Sequence, residues 1–292
     1  MDIAVSEGLS IFIRLLIFLW IISYILSDGK PKCINFFGVK SMKQFPFDFK
    51  DKTALLTGAT GHLGISLAKA LINEGINVVL QYNNSKKKAD DLLISAQKSG
   101  IKAAAVKADL EDPGSPAQLI EEALKLTGNI DYLINSASIY RNTDIDNISA
   151  EDILKAVSIN AAAPFLLSRE FRNLCKSGSV VNILDARMVD YDRNHIAYSL
   201  SKQMLFSLTR ITSAEFAPEI RVNAIAPGII TIPEGTDSSL VSKMKDATLL
   251  NKTGNEEDIV STLFYLLSNS FVTGETIFVD GGRNLRGRMF GL

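Results

Sequence analysis

The chain has 292 residues, 47% hydrophobic and 22% charged, which is ordinary for a globular protein and enough to fill a sizeable core. With 31 basic against 32 acidic side chains the formal net charge is −1, which excludes the basic excess of a nucleic-acid binder and the acidic runs of a disordered chain. Cys33 and Cys175 are too distant for a disulfide framework, and His62 and His195 have no zinc-type neighbours, so a metal-free site in a reducing compartment is expected.

Leu9–Leu26 reads LSIFIRLLIFLWIISYIL, with Arg14 its only charge; at 18 residues it is at the lower edge for a membrane span. Asp2 and Glu7 precede it and Lys30, Lys32, Lys40 and Lys43 come after it, the reverse of a secretory signal. The positive-inside tendency keeps the downstream domain on the cytoplasmic side. Residues 1–41 read as a membrane anchor, as a targeting leader, or as sequence upstream of a true start at Met42; residues 42–292 read as one domain. The expected location is the cytoplasm, with or without a tether through residues 9–26.

From Lys52 onward, short β-branched runs alternate with helical stretches. Strands are predicted at Thr53–Leu56, Asn77–Gln81, Ala103–Val106, Tyr132–Ile134, Ser179–Leu184, Arg221–Ile225 and Thr276–Val279. Helices are predicted near Gly64–Asn73, Lys86–Lys98, Pro116–Leu126, Ala150–Lys176, His195–Phe216 and Glu256–Leu267. The alternation implies an α/β fold, a single-domain Rossmann-type doubly wound parallel sheet of about seven strands with helices on both faces. Pro233–Asn251 is polar and poorly patterned, a candidate substrate lid.

The first strand runs into Thr57-Gly58-Ala59-Thr60-Gly61-His62-Leu63-Gly64 and then a helix. Glycines there permit a tight turn and close approach of a diphosphate, and the helix N-terminus offers free N–H donors. After the second strand comes Gln81-Tyr82-Asn83-Asn84-Ser85 and then Lys86-Lys87-Lys88. The absence of an acidic residue at this point, with neutral donors and positive charge nearby, suits a 2′-phosphate and hence NADPH over NADH. The competing reading is a solvated helix start capped by Ser85. Tyr198 and Lys202, four apart, share one helix face, where an ammonium can lower a phenol's pKa and make it a useful acid or base.

These segments together resemble the short-chain dehydrogenase/reductase family over about residues 50–285. The resemblance rests on TGATGHLG, Ala108-Asp109-Leu110, Asn135-Ser136-Ala137-Ser138, Asn160, YSLSK, Arg221-Val222-Asn223, Pro227-Gly228 and Val279-Asp280-Gly281-Gly282. It implies that Tyr198 donates the proton, that Lys202 orients the nicotinamide ribose, and that Asn160 supports a water-linked proton relay. It implies that Asp109 and Leu110 flank adenine. It also implies that Gly58, Gly61, Leu63, Gly64, Tyr82, Asn83, Asn84, Ser85, Asn135, Ser136, Ala137, Pro227 and Gly228 bind the cofactor. A homotetramer assembled through the helices carrying Asn160 and Tyr198 is expected on the same ground, with the Arg283–Leu292 tail joining the assembly or covering a neighbouring site.

Asp185 stands thirteen residues before Tyr198, where the family generally has serine. Serine suits a ketone; a carboxyl group beside tyrosine can relay a proton to a ring nitrogen, as C=N reduction requires. This departure is similar to the pteridine and dihydromonapterin reductases. That resemblance places Tyr140 as the aromatic stacking on a pterin, Ser138 against cofactor phosphate or substrate, and His62 against the pyrophosphate or the pterin. Ile230, and Asn83-Asn84-Ser85 in place of His-Arg-Ser, depart from that group. Asp190 and Asp192 read as loop surface, and Met188 and Met204 as packing residues. The activity expected is reduction of a pterin-type C=N bond; the alternatives are reduction of a 3-oxoacyl thioester or other carbonyl, and a non-catalytic dinucleotide sensor or scaffold.

Overall fold

The computed structural model describes residues 49–190, 192–231 and 237–286; the apolar run 9–26 and the tail after Arg286 lie outside them. Among the described residues seven strands form one parallel sheet in the order β3-β2-β1-β4-β5-β6-β7. They are β1 (Thr53–Leu56), β2 (Asn77–Tyr82), β3 (Ala103–Lys107), β4 (Tyr132–Asn135), β5 (Gly178–Ile183), β6 (Ile220–Pro227) and β7 (Thr276–Val279). The helices are α1 (His62–Asn73), α2 (Lys86–Lys98), α3 (Ser115–Thr127), α4 (Ala150–Val157), α5 (Ala163–Cys175), α6 (Ile196–Phe216), α7 (Ser238–Asp246), α8 (Glu256–Ser268) and α9 (Arg283–Arg286).

Successive side chains of a strand point to opposite faces, so a sheet covered on both sides needs apolar residues at every position. β1 shows it: Ala54 and Leu56 join the apolar cluster beneath α1, α2 and α8, while Leu55 joins the one beneath α3 and α5. Leu67 and Leu71 of α1 pack on the first face, and Leu119, Leu167 and Phe171 on the second, all fully buried. Each such side chain contributes about 1.5–3 kcal/mol of burial free energy. The chain winds from β1 toward β3 on one side and from β4 toward β7 on the other. The switch falls between β1 and β4, where a crevice opens at the strands' carboxyl ends.

Two predicted elements differ from the expectation. The long helix Ala150–Lys176 is broken into α4 and α5 by a π-helical turn at Ser158–Ala162. Pro164 has no N–H to give the carbonyl of Asn160 four residues back, so the ordinary helical ladder cannot run through. The stretch 233–251 is not merely irregular, because it holds α7, capped by Asp237, whose carboxylate accepts from the Ser239 N–H at 2.8 Å. Leu240 and Met244, four apart on α7, line the substrate-side cleft.

Candidate active site

The turn after β1 is fastened to the ends of three other strands, β2, β3 and β4. Gln81 of β2 accepts from the Gly58 N–H at 2.7 Å and donates to the Ala108 carbonyl at 2.7 Å, fastening the turn to the β3 end. Thr57 Oγ1 accepts from the N–H groups of Ser136 and Ala137 at 3.0 and 3.1 Å, fastening it to the β4 end. Gly58 has φ +63°, and a Cβ there would stand 2.6 Å from Ala137 Cα. The result is a cavity of about 320 Å³ whose wall includes Gly58, Gly61, Gln81, Asn83, Asn84, Ser85, Asp109, Leu110, Ser136, Ala137 and Ser138. Close backbone approach, N–H donors at the start of α1 and no carboxylate at the β2 end fit a dinucleotide carrying a 2′-phosphate.

Several expected cofactor contacts stand elsewhere. Tyr82 is nearly buried and absent from that wall; strand alternation turns Gln81 toward the cavity instead. Asn135 is also withdrawn, donating to Asn182 Oδ1 at 2.8 Å inside the protein. His62 is exposed and pairs sideways, with Nδ1 3.4 Å from Thr231 Oγ1 and 3.3 Å from Glu256 Oε1. Leu63, Pro227 and Gly228 line a second, adjoining cleft rather than the first. Gly64 lines neither; its part is to let α1 lie against the turn. Ser85 precedes α2 without a side-chain capping bond, and Lys86 pairs with Asp90 at 2.9 Å on the surface.

The second cleft, about 630 Å³, is lined by Tyr140, Asp185 and Arg187. The Tyr198 hydroxyl donates to Asp185 Oδ2 at 2.9 Å. Asp185 also accepts from the Arg187 N–H at 2.7 Å, from its Nε at 3.1 Å and from its Nη2 at 3.1 Å. Such a bidentate, charge-assisted pairing fixes the orientation of the carboxylate. Burial alone would lower the Arg187 pKa, but the Asp185 bond and charge more than offset this and raise it.

The Tyr198 phenol is pushed well above its ordinary value, first by burial and then by the Asp185 charge, so it is held protonated. That reverses the expectation that Lys202 lowers it. The Lys202 ammonium lies 5.7 Å from the Tyr198 ring and donates to the Ile183 carbonyl at 2.7 Å. Burial brings its pKa down to about 8, opposed by Asp185. Asn160, fully buried in the π-helical turn, accepts from the Ile139 N–H at 2.8 Å and donates to the Ile139 carbonyl and to Ser201 Oγ, each at 3.0 Å. Its side chain thus fixes the Ser138–Tyr140 segment against α6.

Arg187 escaped the sequence reading, although the pattern Asp185-Ala-Arg187 at the end of a strand was visible. It also donates from Nη1 to the Tyr140 hydroxyl at 2.9 Å and bonds to Asp192. Asp192 is therefore not loop surface. It is largely buried and joins Arg187 to His195, whose Nδ1 lies 3.0 Å from its Oδ2. Asp190 is exposed as expected. Tyr140 is already stacked: the His195 ring lies 3.9 Å away at 12°, and the Arg187 guanidinium stands 5.1 Å over it. A substrate ring at Tyr140 must share or displace these partners. Met188 packs as expected, whereas Met204 is exposed on the outside of α6.

A family model described as Enoyl-(Acyl carrier protein) reductase matches residues 58–284. A 2-dehydro-3-deoxy-D-gluconate 5-dehydrogenase of Formosa agariphila is 31% identical over 248 residues, 81% of this chain and 94% of that protein. A dihydromonapterin reductase of Shigella boydii is 27% identical over 237 residues, covering 80% and 96%. The crystal structure of FolM Alternative dihydrofolate reductase 1 from Brucella canis, complexed with NADP, superposes with TM-score 0.74 at 29% identity, covering 82% of this chain and 96% of that one. With the nucleotide cradle at the switch of the sheet and the tyrosine and lysine on α6, these matches place the chain in the short-chain dehydrogenase/reductase family of oxidoreductases.

Proposed function

We propose that the chain catalyses NADPH-dependent reduction of a C=N bond in a pterin-type heterocycle, such as a dihydropterin or a dihydrofolate-like compound. The observation that carries this reading is the 2.9 Å bond from the Tyr198 hydroxyl to the carboxylate of Asp185, which lines the cleft beside the nucleotide cradle. The dihydromonapterin reductase and the NADP complex of the alternative dihydrofolate reductase among its relatives support it. When bound, NADPH would supply the hydride that ring carbon takes. The protein supplies the proton that nitrogen takes as the C=N double bond becomes single. The protonated Tyr198 is the source, Asp185 aligns and relays the proton, and the pair is reprotonated from solvent at the cleft mouth. Lys202 places positive charge behind the phenol as it becomes phenolate.

The test is NADPH oxidation with dihydrobiopterin, dihydromonapterin, dihydrofolate and acetoacetyl thioester side by side, wild type against Asp185→Ser. Turnover of a pterin that falls at least 100-fold in the variant is the expected result. Turnover of the thioester alone, or an improved rate in the variant, would replace this reading with a general carbonyl reductase. NADPH binding without turnover of any substrate would favour the sensor reading.

The rate carries a pH signature. Lys202 is charged below about 8 and neutral above it, so kcat/KM should hold steady on the acid side and fall as pH rises through about 8. A profile flat to pH 9 would remove Lys202 from the proton chemistry. Stability moves the other way: above pH 8 the unfolded chain still binds the proton that folded Lys202 has released. Stability therefore rises up to the ordinary lysine value of 10.5.

We propose a homotetramer in the cytoplasm. Leu200, Met204 and Ile211 expose an apolar row on α6, and Leu154 another side chain on α4. Among the described residues no helix is long and apolar enough to cross a membrane, and the tether proposed through residues 9–26 lies outside them.

A further inference from the structure

We infer that the outer part of the substrate cleft binds an anionic, carboxylate-bearing substituent of the substrate, held by Lys243 and Arg283. The inference rests on the pterin reading and narrows it to substrates with an acidic tail.

Four charged side chains line the cleft: Asp185, Arg187, Lys243 and Arg283. They divide by depth. Asp185 and Arg187 are largely buried, and Arg187 is shared between Asp185 and Asp192. With Lys202 behind Tyr198 and His195 beside Asp192, the charges of the inner end are already partnered. Lys243 is exposed and Arg283 half-buried, and neither side chain has a hydrogen-bond or ion-pair partner among the described residues.

These two cations arrive from separate elements. Lys243 stands on α7 beside the apolar Leu240 and Met244. Arg283 opens α9, which packs against the 3₁₀ turn Ala186–Val189 that carries Arg187. Arg283 is fixed there because Asp280 accepts from the N–H groups of Gly282 and Asn284 at 2.9 and 2.7 Å, setting the start of α9. At about 630 Å³ the cleft has the size of sites for drug-sized ligands, more than a bicyclic ring fills. The pattern is a buried end whose charges are partnered, an apolar wall from α7, and two cations at the mouth with no partner among the described residues.

The experiment compares dihydrofolate, whose tail carries two carboxylates, with dihydrobiopterin, which has the same ring system and an uncharged tail. Lys243→Met/Arg283→Met should lower the ratio of the two kcat/KM values, dihydrofolate over dihydrobiopterin, by about tenfold or more. Lys243→Arg/Arg283→Lys should restore most of it, which a merely structural role would not require. NADPH affinity, read by fluorescence titration, should be unchanged. An unmoved ratio overturns the inference, and so does a loss of NADPH affinity in its place, which would assign the two cations to the cofactor. If the wild type reduces neither pterin, calorimetry with p-aminobenzoyl-glutamate decides: binding lost in the Met variant upholds the anion site and sinks only the pterin reading. No binding sinks both.

Discussion

Replacing Tyr198 with phenylalanine should lower kcat by about 10³-fold while leaving NADPH affinity within twofold. The phenol is held protonated and is bonded to Asp185, the carboxylate that lines the cleft, and unlike the Arg187 guanidinium it carries a proton it can give up. Removing its hydroxyl deletes the proton source and nothing else of consequence. Asp185 keeps three bonds from Arg187, so no buried carboxylate is stranded and the fold should lose only about 1 kcal/mol. Steady-state NADPH oxidation with the best pterin, beside a fluorescence titration, checks both halves. A variant keeping a tenth of the wild-type rate would mean that Asp185 or water delivers the proton and that Tyr198 only shapes the cleft.

The other large effect is expected at Gly64. A Cβ added there would lie 2.1 Å from the Gly58 carbonyl oxygen and 3.0 Å from Ala59 Cα. Both neighbours are backbone, so no rotamer change relieves the clash; α1 must move away from the turn after β1. Gly64→Ala should cost about 3 kcal/mol or more, the upper range of overpacking, and weaken NADPH binding at least tenfold. Gly75→Ala is the control. Gly75 has φ +84° and nothing within 4 Å, so it suffers only backbone strain of about 1–2 kcal/mol and should bind NADPH normally. Urea unfolding and cofactor titration of both variants separate crowding from strain. Near-wild-type behaviour of Gly64→Ala would show that the helix has slack at this point.

The sheet was legible because its signals are local. Apolar runs such as Val78–Leu80, flanked by turn residues, mark buried parallel strands wherever they occur, and all seven strands stand where the pattern places them. The tyrosine, the lysine and Asp185 were legible as well, being fixed by spacing along one chain segment. The network around them was not. Arg187 meets Tyr140 across 47 residues of sequence, and His195 meets the same ring across 55. No periodicity records such pairings. Asp192 looked like loop because its neighbours are polar, yet it is held locally, by Arg187 five residues before it and His195 three after, and the Arg187 it holds is the side chain that reaches Tyr140. The break at Ser158–Ala162 did leave a local mark in Pro164, which a reading of apolar periodicity alone passes over. Tyr82 and Asn135 were misplaced for a simpler reason: motif resemblance gives the segment, while the face each side chain takes depends on strand pairing.

The position of β1 has a consequence in time. Its neighbour β2 comes soon after it in the chain, but its other neighbour, β4, comes much later; the bond from the Thr53 N–H to Asp131 spans 78 residues. At a synthesis rate of roughly 5–20 residues per second, those residues take about 4–16 s to emerge. During that interval β1 can pair with β2, and β2 with β3, while the other edge of β1, with Ala54, Leu55 and Leu56 alongside, stays open to any passing strand. The nucleotide crevice lies on that same seam, so the binding site cannot begin to close before β4 has emerged.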